Sequence, residues 1–501
     1  MEKKTLIIGS GLGALATALR LTALGYTDIT VVEKYHSPGG RLNVLRKDGF
    51  TFDMGPSFFS MSYEFDELFA ACGMKNPLNF KKLDPLYSVR FAGSNRTFRI
   101  YTDLDKLAAE FADIEPDFKA KAQRYLENAG HIFHATEYRV VKSNFASTPA
   151  YLMSLSRIPW KYAPRMFYSM WTDLEKTFDS EEAKVIFSLV AFFLGATPFD
   201  TPAVYKLLSY TELVHDGYWN VEGGMYQITE TLVQELEKRG VKFRYGIEIR
   251  DYISEGDRVT GFTDQHGNVH RADLVVVNAD AASFRGQVFK RARFTEKRLD
   301  KMEWTLAPFT IYLGVKGKID GLNHHNYFLG DNFREYANDI FKLSVTPEKP
   351  YYYVNVSSKS NPGCAPEGCE NLFILCPVPD LRFKPDWTDA DAFADHIIAD
   401  LSARIGYDLA AHTVSKTVLP PTEWENRFNL YKGSGLGLAH GLNQIGAFRP
   451  KNKDEVFRNV YYVGASTTPG TGLPMVVISS RLAVERILEQ EKKETRPTQT
   501  V

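Results

Sequence analysis

The stretch TLIIGSGLGALATALRLTALGYTDITVVEKYHSPGGR, residues 5–41, decides the fold of this chain. A short apolar run ends at Ile8 and passes directly into a glycine-rich turn. A run typical of a buried helix follows, and a second apolar run ends at Glu33. Strand, glycine-rich turn, helix and strand in this order form a βαβ unit, which predicts an α/β fold with a parallel sheet.

Each residue type in this unit suits the binding of a dinucleotide. Gly9 permits a tight turn, Gly11 lets the backbone approach a pyrophosphate, and Ala14 is small enough for the helix to pack on the strand. The helix N-terminus presents free N–H groups and a partial positive charge to the same pyrophosphate. Glu33 can accept hydrogen bonds from a ribose 2′-OH, and its charge would repel a 2′-phosphate.

A secretory signal is the alternative interpretation of the N-terminus, because Lys3 and Lys4 precede an apolar run. Glycines interrupt that run, Arg20 lies late in it, and no small-residue cleavage site follows cleanly. We therefore favour the nucleotide site.

Composition is that of an ordinary globular protein. The chain has 501 residues, more than one small core needs, so we expect two domains. The net charge of −1 gives no reason to expect a nucleic-acid partner. The 34 Phe and 26 Tyr suit a large core or a large apolar ligand. The sequence contains no run of about 18 apolar residues, so we do not expect a membrane-spanning helix.

The four cysteines do not form a C-x-x-C pair. Without that spacing or an export signal, we expect reduced structural thiols and neither a disulfide nor a metal site. They are Cys72, Cys364, Cys369 and Cys376.

The order of predicted elements divides the chain into two interleaved domains. Strands at 241–244, 248–253 and 259–263 predict a β-meander, and a buried strand follows at 272–278. Such a meander suits one face of a parallel nucleotide-binding sheet. We assign the nucleotide-binding domain to residues 1–80, 210–290 and 455–490, and a second domain of mixed sheet and helices to residues 81–209 and 291–454.

Residues 149–175 mix aromatic and basic side chains, and three prolines break them into short helices. Aromatic and basic residues together suit a membrane interface. A helical cap over the core, with Trp and Tyr as ordinary packing residues, is the equal alternative. We expect the membrane-associating part near residues 149–200.

The C-terminal region has the same order of elements as the start of the opening unit, a strand, a glycine-rich turn and a helix. A strand at 460–463 is followed by two glycine turns and a helix at 476–489, which predicts a second helix N-terminus facing a ligand. Residues 491–501 are charged and polar, and we expect them to be a disordered tail.

Further motifs accompany the opening unit: Pro38-Gly39-Gly40-Arg41, Phe52-Asp53-Met54-Gly55-Pro56, Glu222-Gly223-Gly224-Met225, Asn278-Ala279-Asp280, Arg449-Pro450 and Pro469-Gly470-Thr471-Gly472-Leu473-Pro474. Together they resemble the phytoene-desaturase-type carotenoid desaturases, which belong to the amine-oxidase-like FAD flavoproteins. Within that family the sequence looks most similar to the flavobacterial 1-hydroxycarotenoid 3,4-desaturases.

The resemblance implies a Rossmann-like FAD-binding domain interleaved with a substrate-binding domain. Ala14 stands where a third glycine is commoner, and Ser479-Ser480 stands where Ser-Gly is frequent, which places the packing there in question. The acid proposed as catalytic in a phytoene-type member has no match in residues 151–157, so no catalytic residue is implied. The residues implied at FAD are Gly9, Gly11, Ala14, Glu33, Gly40, Arg41, Gly55, Pro56, Ser57, Ile249, Ala279, Asp280, Gly464, Ala465, Gly472, Leu473, Pro474 and Met475.

The implied reaction is the oxidation of a CH–CH bond beside a polyene, with hydride transfer to flavin. The implied partners are a long apolar carotenoid and a membrane surface, with the protein in the cytoplasm at the inner face of the cell membrane. A phytoene- or lycopene-forming desaturase is the alternative within the family. Outside it, an FAD amine oxidase and a non-enzymatic carotenoid carrier stay open. The sequence does not set the oligomeric state.

Overall fold

The computed structural model describes residues 3–145 and 147–495. Its strands are β1 Thr5–Ile8, β2 Ile29–Glu33, β3 Val44–Lys47, β4 Phe50–Asp53, β5 Phe80–Lys82, β6 Tyr87–Phe91, β7 Thr97–Ile100, β8 Trp219–Val221, β9 Lys242–Tyr245, β10 Ile249–Glu255, β11 Arg258–Asp264, β12 Val269–Arg271, β13 Leu274–Val277, β14 Ala307–Lys316, β15 His325–Leu329, β16 Tyr352–Asn355, β17 Cys369–Val378, β18 Thr413–Leu419 and β19 Val460–Tyr462.

The α-helices are α1 Leu12–Ala23, α2 Tyr63–Ala71, α3 Leu104–Phe111, α4 Phe118–Thr136, α5 Thr148–Ser156, α6 Met170–Glu175, α7 Glu181–Ser188, α8 Leu207–Tyr210, α9 Gln227–Lys238, α10 Ala281–Ser283, α11 Glu296–Leu299, α12 Phe333–Asp339, α13 Ala390–Ile405, α14 Leu409–His412, α15 Pro421–Phe428 and α16 Leu473–Thr495. Single π-helical turns form at Glu137–Val141, Thr211–His215 and Phe284–Val288. Short 3₁₀ helices lie at Trp160–Met166, Leu189–Leu194, Ala203–Lys206, Ala292–Phe294, Ser357–Lys359, Pro362–Cys364, Tyr431–Gly433, Leu442–Gln444 and Gly446–Phe448.

A five-stranded parallel sheet carries the predicted βαβ unit. Its order is β19-β13-β1-β2-β9, and Ile8 pairs in register with both Val32 and Val277. Because the strands are parallel and in register, their carboxyl ends meet at one edge of the sheet. The turns that follow β1, β13 and β19 therefore gather at that edge, where an open α/β sheet binds its ligand.

The predicted meander is present but is built differently. The strand expected at 241–244 is β9, which pairs in parallel with β2 and closes the edge of the main sheet. The antiparallel meander is β10-β11-β12. The alternation of apolar residues could not distinguish a strand of the parallel sheet from a strand of the meander. The partner of a strand depends on residues that are distant in the sequence. Phe262 and Val259 of the meander pack in one core with Val275 of the parallel sheet, so the meander covers one face as expected.

A second, seven-stranded mixed sheet has the order β18-β14-β17-β16-β15-β6-β7. Strands β6 and β7 come from the 81–209 segment, and the others come from the 291–454 segment. Helix α13 packs its apolar face on this sheet through Phe393, Ile397 and Leu401. The two segments therefore share one sheet, although the domain limits themselves stay a prediction.

Helix α16 runs past the start of the expected disordered tail. It continues to Thr495, so the disorder predicted for residues 491–495 is wrong. The Glu491 carboxylate accepts hydrogen bonds from Lys3 Nζ and from the Tyr26 hydroxyl, both at 2.7 Å, and these hold the last turns against the nucleotide-binding sheet. The rest of the predicted tail, residues 496–501, lies outside the described residues.

A buried ion-pair network ties α2 to the helical region. Lys142 has a side chain only 2% exposed, and it pairs with Glu64 of α2 and, at 3.0 Å, with Glu137. Burial raises the pKa of Glu64, and the hydrogen bond from Lys142 opposes this shift. The lysine therefore compensates two carboxylates that would be costly to bury alone.

Lys142→Met should lower the free energy of unfolding by about 3–5 kcal/mol, because it leaves Glu64 and Glu137 buried without a cation. Urea unfolding followed by tryptophan fluorescence measures the change. Lys106→Met is the matched control, because the Lys106–Asp84 pair lies on the surface and is screened by water. Equal unfolding midpoints for the two variants would contradict a stabilising role for the network.

Candidate functional site

One large cavity of about 1500 Å³ begins at the carboxyl edge of the parallel sheet and extends to the 151–167 segment. The residues implied at the cofactor line one end of it: Gly9, Gly11, Glu33, Gly40, Arg41, Gly55, Pro56, Ser57, Ile249, Ala279, Asp280, Gly464, Ala465, Gly472, Leu473, Pro474 and Met475. Ala14 does not line the cavity. It lies in α1 and is fully buried, which fits the packing role expected of a small residue there.

The first glycine turn is held by a side chain that we did not include among the predicted site residues. Asn278, directly after β13, accepts a hydrogen bond from the Ala14 N–H at 3.1 Å and donates to the Val463 carbonyl at 3.1 Å. A Cβ on Gly11 would lie 2.6 Å from the Asn278 side-chain oxygen. The position of Asn278 directly after a predicted buried strand was the signal in the sequence.

Glu33 is fixed in place by the turn that it faces. Its Oε2 atom accepts hydrogen bonds from the Ser10 N–H and the Ser10 hydroxyl, both at 2.8 Å, and its Oε1 atom accepts from Tyr35 N at 3.2 Å. The carboxylate is therefore oriented at the end of β2, where it lines the cavity. Ser10 was also missing from the predicted set, and its hydroxyl explains why that turn position suits serine.

Arg41 places a cation in the cavity wall. Its Nη1 donates to the Gly435 carbonyl at 3.1 Å, and burial lowers its pKa while Asp280 opposes the shift. A Cβ on Gly55 would lie 2.5 Å from the Arg41 carbonyl oxygen, so glycine is needed for these two turns to pack. A guanidinium beside a polar cavity suits an anionic group such as a pyrophosphate.

The C-terminal glycine turns close the same end of the cavity. Gly464 has a φ of +101° and Gly472 has a φ of +107°, and α16 begins at the next residue, Leu473. The Gly464 N–H donates to the Ser479 hydroxyl at 2.9 Å, and Arg20 Nε donates to the Ser480 hydroxyl at 3.1 Å. The serine pair whose packing was in question is therefore buried and hydrogen-bonded.

These residues fit a bound dinucleotide. The N-termini of α1 and α16 both meet the cavity, an oriented carboxylate lies at the end of β2, and a buried guanidinium lines the same cavity. Helix N-termini and a guanidinium favour phosphates, and the carboxylate suits ribose hydroxyls.

The other end of the cavity is mainly apolar. Its wall includes Phe133, Leu155, Ile158, Val190 and Leu208, among many similar side chains. It suits a long apolar ligand rather than a small polar one.

Several polar side chains interrupt this apolar part. Glu212, Tyr218, Tyr327 and Tyr353 form one group, and His440 lies near the Gly470–Gly472 turn. His440 Nε2 accepts from the Thr471 N–H at 3.3 Å, and burial lowers its pKa to about 3, so the ring is neutral. We assign no catalytic residue among these groups.

Comparison with known proteins shows the family of this chain. Residues 15–488 match the model of the flavin containing amine oxidoreductase family. The zeta-carotene-forming phytoene desaturase of Myxococcus xanthus is 35% identical over 97% of this chain and 94% of its own length. The carotenoid 3,4-desaturase of Haloarcula japonica is 30% identical over 96% of this chain and 97% of its own.

Solved structures share the fold. Cyclohexylamine oxidase from Brevibacterium oxydans aligns with a TM-score of 0.59 at 16% identity, over 98% of this chain and 100% of that chain. The predicted amine-oxidase-like architecture is therefore confirmed, as is FAD as the cofactor. The chain belongs to the carotenoid desaturases of the flavin containing amine oxidoreductase family and is an FAD-dependent oxidoreductase.

Proposed function

We propose that the chain introduces a C=C bond at the 3,4 position of an acyclic carotenoid that carries a 1-hydroxyl group. The observation that supports this most is one large continuous cavity, which joins the proposed cofactor end to an apolar chamber. The Haloarcula relative is named a carotenoid 3,4-desaturase, which supports the 3,4 position as the site of the new double bond. The name of the Myxococcus relative supports the alternative, a phytoene desaturase.

The reaction would remove a hydride from one carbon and a proton from its neighbour, and the bond between them would become double. Hydride and proton together equal the two hydrogen atoms taken up when FAD is reduced to FADH2. FAD, when bound, supplies the acceptor for the hydride. The conjugated substrate spreads developing positive charge along its own chain. The protein therefore needs mainly to align the bond, and the apolar walls do this while they exclude water.

The cofactor contacts are part of this proposal. The N-termini of α1 and α16 and Arg41 would hold the pyrophosphate, and Glu33 would hold the ribose. The backbone at Ile249 would meet the adenine. The turns at Gly55–Ser57 and Gly472–Met475 would approach the flavin.

We also propose that the cavity opens toward a membrane through the 151–167 segment. Trp160 and Phe167 line the cavity and are each 86% exposed, with Leu152 and Met153 exposed beside them. Tyr162 of the same segment is buried. The segment thus combines core packing with an apolar outer face, and nearby basic residues suit anionic lipid at the inner face of the cell membrane. Within residues 3–145 and 147–495, no helix is long and apolar enough to span a bilayer.

Glu33→Ala should weaken FAD binding by about 10- to 100-fold, because it removes charged hydrogen bonds to the ribose. Fluorescence titration of the apoprotein with FAD measures the affinity, and circular dichroism checks folding. Glu255→Ala, at the exposed end of β10, should bind FAD like the unmodified protein. An unchanged affinity in Glu33→Ala would overturn the ribose assignment.

Anaerobic addition of a 1-hydroxylated acyclic carotenoid should bleach the bound flavin, with a product two hydrogen atoms lighter. Absorbance and mass spectrometry measure both. Bleaching by amines alone would indicate an amine oxidase, and no bleaching would indicate a carrier. Conversion of phytoene in cells that express this chain would overturn the assignment to the hydroxylated substrate.

The double variant Trp160→Ser, Phe167→Ser should bind anionic phosphatidylglycerol vesicles at least about tenfold more weakly, because two large apolar side chains no longer insert. Vesicle co-sedimentation measures the binding. The matched control is Val345→Ser, Val414→Ser, which removes two exposed apolar side chains elsewhere. Equal binding by both double variants would exclude this segment as the docking surface.

A further inference from the structure

Glu212 is a carboxyl group in the wall of an apolar chamber. It lies in the π-helical turn Thr211–His215, lines the cavity and is 4% exposed. Among the described residues it forms no ion pair with a lysine, arginine or histidine. A buried carboxyl without a cation is costly unless its polar atoms find other partners.

The surroundings of Glu212 favour its protonated form. Burial raises its pKa to about 8, and a hydrogen bond with Tyr87 only partly opposes this shift. Tyr218 and Tyr327 lie nearby and bring no positive charge. A protonated carboxyl carries one O–H donor and a free acceptor oxygen, which together match the donor and acceptor of an alcohol.

The group that contains Glu212 reaches the cofactor end of the cavity. Phe58 meets Tyr218 edge to face, with ring centroids 5.0 Å apart, and stacks on His325, with centroids 4.2 Å apart. The Tyr353 hydroxyl lies 2.6 Å from His325 Nδ1 and 2.9 Å from the Ser57 hydroxyl. Ser57 belongs to the turn proposed to approach the flavin, so a continuous polar and aromatic path joins that turn to Glu212.

This path lies where the hydroxylated end of the proposed substrate would have to bind. In a 1-hydroxylated substrate oxidised between carbons 3 and 4, one carbon separates the hydroxyl-bearing carbon from the reacting bond. The hydroxyl must therefore lie close to the flavin, while the polyene extends into the apolar chamber. Within the described cavity wall, the group around Glu212 supplies a carboxyl and several phenols beside that position.

We propose that Glu212 is a specificity residue that hydrogen-bonds the hydroxyl end group of the carotenoid. Tyr87 positions its carboxyl, and Tyr218 and Tyr353 complete the polar end of the chamber. The proposal rests on the proposed function, since it explains how a mainly apolar cavity would select an alcohol over a hydrocarbon. A site built to bond a hydroxyl leaves polar groups unpaired when the hydroxyl is missing, and this penalises the hydrocarbon.

The test compares FAD-loaded protein and its variants on two carotenoids of equal chain length, one 1-hydroxylated and one not. Glu212→Leu should lower kcat/KM for the hydroxylated substrate by about 10- to 100-fold. The same variant should leave kcat/KM for the carotenoid without a hydroxyl unchanged or raise it. Glu212→Gln keeps a donor and an acceptor and should restore most of the preference. Tyr205→Phe, in the cavity wall near His440, is the control and should change kcat/KM for both substrates by the same factor.

A second measurement does not depend on turnover. It determines the equilibrium binding of both carotenoids from the change in their visible absorbance. Loss of the hydroxyl preference in Glu212→Leu supports the proposal. An equal effect on both ligands, or no preference in the unmodified protein, overturns it. Absence of turnover together with a Glu212-dependent binding preference would overturn the proposed reaction and leave the subsite intact. The midpoint of thermal unfolding checks that Glu212→Leu is folded, because this variant leaves the buried Tyr87 hydroxyl without its partner.

Discussion

The side-chain amide of Asn278 is the contact on which the cofactor end depends. Its oxygen accepts from the start of α1, and its nitrogen donates to the Val463 carbonyl, directly after β19. One residue thus joins three strand ends that are far apart in the sequence. Cβ atoms on Gly11 or Gly464 would collide with this amide, so the glycines serve internal packing as well as ligand approach.

The cavity combines two kinds of wall, and this combination follows from the topology. At one end, parallel strands bring helix N-termini, a carboxylate and Arg41 together, which favours phosphate and ribose. At the other end, helices that lie between β7 and β8 in the chain supply aromatic and aliphatic side chains. A polar cofactor and an apolar substrate can therefore share one space. The exceptions to the apolar wall, such as Glu212, are the positions at which a substrate's polar group would be recognised.

Much of the cofactor site could be predicted from the sequence, because it consists of local motifs. The turn at Gly9–Gly11 and the acid Glu33 follow from spacing within one βαβ unit. Asn278 and Ser10 were missed because their importance depends on partners that other elements bring close. The strand at 242–245 was assigned to the wrong sheet for the same reason. The end of α16 extends beyond the predicted limit because Lys3 and Tyr26 hold Glu491 from elsewhere in the chain.

The sequence by itself determined the class of fold, the dinucleotide turn and the family resemblance, since short-range backbone constraints on glycine and alternating apolar residues are visible along the chain. The tertiary structure decided the shape of the chamber and the surroundings of Glu212. Tyr87, Tyr218 and Tyr327 come from three separated segments, and the pKa of the Glu212 carboxyl rises because such segments exclude water around it. Desolvation depends on what surrounds a group in space, so the order of residues alone did not reveal it.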